Sequence, residues 1–309
     1  MEKVLIFGHK NPDTDTICSS LVAEKLAKHF GYDAEAVRLG KLNKECEYVF
    51  DYLNIDENRQ REISKVEDGQ KIILVDHNEA AQSVENRENA EIVAVIDHHR
   101  ISDFQTVTPL YYISKPYGCT STILFELFKQ ENIEIDKETA VLMLSAIISD
   151  TLLLKSPTCT EKDVNAFNEL EKIAEIDAKE FGLAMLKAGT DISALSAKEI
   201  IELDAKEFNE KGKKFVVAQV NTADINDIFA RKEDISFAME KEIADRDLNI
   251  FMFVITDIIN TNSKIIALGK DKELVEKAFD KKLDQDDAMI LEGVVSRKKQ
   301  IAPPLLACL

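Results

Sequence analysis

Short apolar runs separated by stretches of helical period fill the first half of the chain. "KVLIFG", "KIILVD" and "EIVAVID" are rich in Val and Ile, and each leads to a polar residue. Continuous apolar runs of this length are the pattern of strands buried on both faces, as in a parallel sheet. Between the first two, "ICSSLVAEKLAKHF" sets Leu21, Val22, Leu26 and Phe30 at helical spacing. "STILFELFKQEN" and "KETAVLMLSAIISD" also read as helices. Strands alternating with helices predict an α/β fold with a doubly wound, mainly parallel sheet. Near "LKAGTDISALS", Gly189 followed by Thr190, Asp191 and Ser193 offers a helix stop and a new cap. Beyond it, "KFVVAQVN", "LNIFMFVITD" and "KIIALG" predict strands, and "DINDIFARKEDISFAMEKEIADRD" carries a helical period. The expected organisation is an N-terminal domain over 1–188, a hinge at 189–195 and a smaller C-terminal α/β domain over 196–309.

Composition narrows the class. The 309 residues suffice for two domains, and a hydrophobic content of 45% supports a real core. The formal charge of −18 disfavours non-specific binding to nucleic acid or anionic membrane, though it permits a small basic pocket. No apolar run approaches the ~20 residues that span a bilayer. "MEKVLIFGH" reads as a strand flanked by charge and not as a signal peptide. The five cysteines are odd in number and form no CxxC pair, which points to reduced thiols and a cytoplasmic setting.

The chemistry lies where the apolar runs end. "VLIFG" leads to His9, Asp13 and Asp15; "IILV" leads to Asp76; "IVAVI" leads to Asp97, His98 and His99; "LMLSAIIS" leads to Asp150. Ligands of open parallel sheets bind beyond the carboxyl ends of the strands. One such end would be a solvated loop, but four converging ends define a site. Carboxylates and imidazoles without thiols suit Mn²⁺, Co²⁺ or Mg²⁺ better than structural Zn²⁺. The six groups His9, Asp13, Asp15, Asp76, His98 and Asp150 exceed what one ion with open positions takes, so two ions sharing a carboxylate fit better. Two dications would also offset the repulsion between crowded acids.

These motifs carry a resemblance. "GHKNPDTD", "VDHNE", "DHH" and "SAIISDT" resemble the DHH phosphoesterases. With "GCTSTI", "LDAKEF", "AQVNT" and "GVVSRKKQ" added, the chain is more closely similar to the family II inorganic pyrophosphatases, from residue 1 to about residue 304. The resemblance implies that His9, Asp13 and Asp76 hold one Mn²⁺ or Co²⁺ and that Asp15, Asp76, His98 and Asp150 hold the other. Asp76 would bridge, a bridging hydroxide would attack phosphorus, and a further Mg²⁺ would arrive with pyrophosphate. It implies that His99 faces the substrate, that Lys206, Arg297 and Lys298 bind phosphate from the second domain, and that the protein is a homodimer through its N-terminal domain.

Simpler roles compete at several positions. His99 could orient His98, and Asp97 is expected to bond a ligand histidine and fix its tautomer. His77 is expected beside the site and not in it. Thr120, Ser121 and Thr122 could cap a helix there. "DAKEF" reads from its pattern as a helix with a surface lysine, and only the resemblance singles out Lys206. Three cations in "SRKK" after an apolar "GVV" are unusual in so acidic a chain. A DHH-type phosphodiesterase acting on short oligonucleotides or cyclic dinucleotides is the alternative. Such relatives are expected to carry a glycine-rich motif where "SRKKQ" stands here.

Overall fold

Five runs with few polar interruptions form the first sheet: β1 (Val4–Phe7), β2 (Ala34–Ala36), β3 (Lys71–Val75), β4 (Glu91–Asp97) and β5 (Tyr111–Ser114). All neighbouring pairs are parallel, in the order β2-β1-β3-β4-β5. The computed structural model describes residues 3–308, with the backbone alone for residues 298 and 299. Strand direction reverses its walk across the sheet between β1 and β3, so the carboxyl ends of these two strands border the crevice where such sheets bind ligands.

Six helices accompany this sheet: α1 (Thr14–His29), α2 (Lys44–Leu53), α3 (Thr120–Gln130), α4 (Lys137–Thr151), α5 (Glu161–Ala174) and α6 (Ala178–Gly189). α1 and α3 pack against the strands, and α4 lies behind them, touching α1, α3, α5 and α6. That position explains why α4 is apolar all round, with Ala140–Ile148 wholly buried. The opposite sheet face is closed by Val37, Val66 and Val84 from the connecting segments, packed on Leu5, Phe7, Ile72, Leu74 and Val95.

The chain divides into two compact units, one ending at Gly189 and the other beginning at Thr190. The second unit contains α7 (Ala197–Glu202), β6 (Ala205–Glu210), β7 (Lys213–Thr222), α8 (Ile225–Phe229), α9 (Lys232–Arg246), β8 (Ile250–Asp257), β9 (Asn262–Leu268), α10 (Glu273–Phe279), β10 (Ala288–Glu292) and α11 (Ala302–Ala307). Its sheet runs β10-β9-β8-β7-β6, mixed, with only β7 and β8 parallel. The central strand β8, "IFMFVITD", is buried along its whole length.

"DAKEF" is the clear departure from the sequence reading, because Lys206 lies on strand β6 and not on a helix. Lys211 and Gly212 take φ of +49° and +77°, which makes a two-residue hairpin turn of the kind that matches strand twist. Phe208 then stacks on Phe215 across the hairpin, centroids 5.1 Å apart. Turn chemistry and cross-strand packing override the helix preference of Ala, Lys and Glu.

Candidate metal centre

The turn after β1 carries the first group. Gly8 lies so close to α1 that a Cβ there would meet Thr16 at 2.4 Å. Asp13 caps α1: its Oδ1 accepts the Thr16 amide at 2.9 Å, which leaves Oδ2 facing His9 Nε2 at 3.3 Å. His9 donates Nδ1–H to the Lys10 carbonyl at 2.8 Å, so its Nε2 is the nitrogen turned to the acids, 3.3 Å from Asp13 Oδ2 and 3.4 Å from Asp76 Oδ2. Burial alone would lower the His9 pKa, but the Asp13 and Asp76 carboxylates raise it to about 11.

Asp76 is the hub. It follows β3 with φ of +57°, a left-handed conformation that costs of order 1 kcal/mol in a residue with a Cβ. Its amide donates to the Ile96 carbonyl at 3.0 Å, extending the ladder and fixing the turn. Its carboxylate is buried. Oδ2 accepts from Thr16 Oγ1 at 2.7 Å, and Oδ1 accepts from Thr120 Oγ1 at 3.2 Å and lies 3.3 Å from His98 Nε2. Burial pushes the carboxyl pKa up, yet His9 and His98 outweigh it and hold it well below the usual carboxylate range.

Asp15, in the first turn of α1, is fully buried and accepts from the Thr120 amide at 2.7 Å, the Ser121 amide at 3.3 Å and Ser19 Oγ at 2.5 Å. Burial and the charge of Asp76 push its pKa up to about 6. His98 donates Nδ1–H to the Tyr117 carbonyl at 3.0 Å and presents Nε2 to Asp76 and Asp150. Although burial lowers its pKa, Asp76 and Asp15 raise it to about 9. Asp150 lies in the last turn of α4, and burial together with Asp15 and Asp76 drives its pKa well above the ordinary value. After it Leu152, Leu153 and Leu154 have φ of +48°, +54° and +65°. Three successive left-handed leucines are a costly way to stop a helix. Packing sustains the turn: a Cβ on Gly182 would meet Leu153 Cδ2 at 2.7 Å.

Three sets of donor atoms result. His9, Asp13 and Asp76 form one; Asp15, Asp76, His98 and Asp150 form a second; the half-exposed His99 joins Asp76 and His98 in a third that overlaps the second; within each, the atoms lie inside 4.8 Å of one another. Asp76 belongs to all of them. Asp150 Oδ2 is buried and has no hydrogen-bond partner in either direction. Buried acids and an orphaned oxygen demand positive charge, and the two raised imidazoles supply only part of it. The donor set, carboxylate plus Nε2 imidazole, fits divalent manganese or a similar ion.

The neighbours of the set differ in part from the sequence reading. Asp97 holds His99 and makes no bond to His9 or His98: its Oδ1 accepts His99 Nδ1–H and the His99 amide, both at 3.0 Å. Asn78 donates to Asp97 Oδ2 at 2.7 Å and to the Arg100 carbonyl. His99 thus stands half exposed, with Nδ1 3.6 Å from Asp76 and Nε2 left for another partner. The His98 tautomer is set by the Tyr117 carbonyl. His77 bonds the Val75 carbonyl and Ser83, and burial pushes its pKa down to about 4, so it stays outside the set as a neutral neighbour. Cys119, not a hydroxyl residue, occupies the N-cap of α3. Thr120 and Ser121 instead spend their amides on Asp15, and the Thr120 hydroxyl on Asp76. Thr16, Ser19 and Asn78 were not singled out from sequence. Their signal is a hydroxyl or amide one to four residues from a ligand acid.

The basic residues lie on the second unit. Lys206 is exposed on β6, its Nζ 5.5 Å over the Phe208 ring. Arg297 pairs through Nη2 with Asp204 Oδ1 at 2.7 Å, and its Nη1 donates to the Asp204 carbonyl and, at 3.4 Å, to the Val217 carbonyl. Val217 is the register partner of Lys206, so both cations share one end of the β6–β7 pair. The Lys298 side chain lies outside the described residues. Among the described residues no helix is long and apolar enough to cross a membrane.

A parallel sheet with order β2-β1-β3-β4-β5, whose strand ends gather Asp and His around one aspartate, defines a DHH-type protein. The profile of the DHH family, N-terminal domain, matches residues 3–147, and that of the DHHA2 domain matches residues 183–308. The chain belongs to the manganese-dependent, or family II, inorganic pyrophosphatases. It is 50% identical over 305 residues to the manganese-dependent inorganic pyrophosphatase of Bacillus subtilis, covering 99% of this chain and 98% of that one. It is 51% identical over 309 residues to a Bacillus licheniformis protein named "Probable manganese-dependent inorganic pyrophosphatase", covering 100% and 99%. Among solved structures it is similar to a Methanococcus jannaschii protein assigned to the family II inorganic pyrophosphatases, with TM-score 0.63, 38% identity and 99% of each chain covered.

Proposed function

We propose that this chain hydrolyses inorganic pyrophosphate to two phosphates with two Mn²⁺ or Co²⁺ ions per subunit, held by the two sets that share Asp76. The observation that carries the reading is this sharing: one buried carboxylate lies within ligand distance of both donor sets. Relatives at about half identity that bear the name manganese-dependent inorganic pyrophosphatase support both metal and substrate. When bound, such an ion pair lowers the pKa of water into the neutral range and offsets charge on phosphoryl oxygens.

The chain's own residues do the rest. Lysine and arginine bind phosphate as point charge and planar fork respectively, and Lys206, Arg297 and Lys298 take those roles. Arg297 must leave the Asp204 carboxylate and the Asp204 and Val217 carbonyls to do so, and phosphate oxygens replace those acceptors. Asp97 and Asn78 fix the His99 ring, whose free Nε2 meets the substrate. Substrate brings several negative charges, so an additional Mg²⁺ enters with it. Residues 189–195 act as the hinge on which the C-terminal domain, 196–309, delivers its cations to the N-terminal domain, 1–188. The active form is a homodimer through the N-terminal domain, without nucleic acid or membrane partners, in the cytoplasm.

Phosphate release from pyrophosphate, a dinucleotide and a cyclic dinucleotide, each with Mn²⁺, tests this. Pyrophosphate should be cleaved faster by orders of magnitude. Comparable cleavage of either nucleotide would favour the phosphodiesterase alternative.

A further inference from the structure

We infer that Asp163, which makes no hydrogen bond to a member of either donor set, is a positioning residue for the ion held by Asp15, Asp76, His98 and Asp150. The inference rests on the two-ion reading above. Asp163 sits at the third position of α5 and is fully buried, with no cation within salt-bridge distance among the described residues. Four donors hold its charge. Oδ2 accepts the Thr160 amide at 2.7 Å, Thr160 Oγ1 at 2.6 Å and the Gly118 amide at 2.9 Å; Oδ1 accepts Thr122 Oγ1 at 2.6 Å. Two of these donors close the cap of α5. The other two, Gly118 and Thr122, bracket the entry into α3.

That entry is a short segment with an unusual load. The Tyr117 carbonyl sets the His98 tautomer. The Thr120 and Ser121 amides clamp Asp15, and the Thr120 hydroxyl reaches Asp76. Residues 117–121 therefore orient three of the four members of the second set. By contrast, His9 is oriented by Lys10 and Asp13 by Thr16, with no bond from this segment, and the shared Asp76 keeps its bond from Thr16 Oγ1 besides the one from Thr120. Asp163 is the bond that ties the middle of the segment to another helix, and the fit is tight: a Cβ on Gly118 would meet Asp163 Oδ2 at 2.8 Å. Weakening this joint should loosen Asp15 and His98 together and leave His9 and Asp13 in place. Groups that orient ligands without touching the metal typically change its affinity 10- to 100-fold.

The test is a Mn²⁺ titration of metal-free protein, read calorimetrically and by the signal of free Mn²⁺, for the natural chain and for Asp163→Asn and Gly118→Ala. Asp163→Asn keeps shape but replaces a three-donor oxygen by an amide; Gly118→Ala strains the same joint from the other side. We expect both variants to weaken one of two binding steps about 10- to 100-fold and the other, which shares only Asp76 with this segment, by clearly less. Thr160→Val, which removes one donor on the α5 side only, should weaken that step less than either. Equal weakening of both steps, or no change in folded variants, would overturn the inference. A variant that fails to fold is replaced by Thr122→Val, which cuts the Oδ1 bond alone and carries the same expectation. A single binding step in the natural chain would instead contradict the two-ion reading itself.

Discussion

The two units of the chain place their charges in opposite ways. In the first, Asp15, Asp76 and Asp97 are buried, and every one of them accepts two or more hydrogen bonds from groups on other elements or turns. In the second, Lys206 is exposed and Arg297 is turned back onto Asp204 of its own unit. The difference follows from what each charge must do. Ions are held best by ligands fixed in advance, and burying Asp15 and Asp76 costs stability that backbone amides and hydroxyls partly offset. A substrate that comes and goes is met by cations whose present acceptors can be exchanged: Lys206 is exposed, and Arg297 can trade one exposed carboxylate and two carbonyls for phosphate oxygens.

The strongest way to break this contrast is at its most buried point. Asp76→Ala should lower pyrophosphate turnover by on the order of 10³-fold or more, since several kcal/mol of charge stabilisation go with the ions; phosphate release under saturating Mn²⁺ measures it. On the second unit, Arg297→Ala should raise KM about 10- to 100-fold, the loss of a charged hydrogen bond, with bound metal unchanged. Loss of metal in that variant would erase the distinction between the units.

Smaller effects sharpen the picture away from the site. Glu24 is a buried carboxylate whose pKa burial would raise, but Arg59, Lys28 and the Ala36 amide lower it overall. A depressed folded pKa adds stability above the ordinary value of 4.5 that is lost as pH falls through the folded value. Glu24→Gln should therefore cost about 1–3 kcal/mol at pH 7 in denaturant melts, with the deficit shrinking as pH drops below 4.5. The smallest effect belongs to the hairpin that carries Lys206. Gly212, at φ +77°, should lose about 1 kcal/mol on replacement by Ala, read by thermal melting of the metal-free protein.

Legibility followed the same divide. Apolar runs such as "IILV" and "IVAVI" end where a parallel strand must end, so the acids and imidazoles after them were readable as one edge of a sheet. Asp150 was readable because an apolar helix stopped on it. Short β2 and β5 were missed: "AEA" is too brief to show a pattern, and "YYIS" is an edge strand with exposed ends. Around Lys206 the local preference of Ala, Lys and Glu points to a helix, whereas pairing with β7 depends on residues that follow. The Asp97–His99 bond and the reach of Asp163 to Gly118 depend on turns that bring distant residues together, and no spacing announces them.

The central claim is that one aspartate serves two ions. Counting bound Mn²⁺ per chain, after removal of excess metal, tests it most directly in the natural protein and in Asp15→Ala and Asp76→Ala. The account predicts two ions in the natural protein, preferential loss of one in Asp15→Ala, and weakened binding of both in Asp76→Ala. Two tightly held ions in Asp76→Ala, or a single ion in the natural protein, would contradict it.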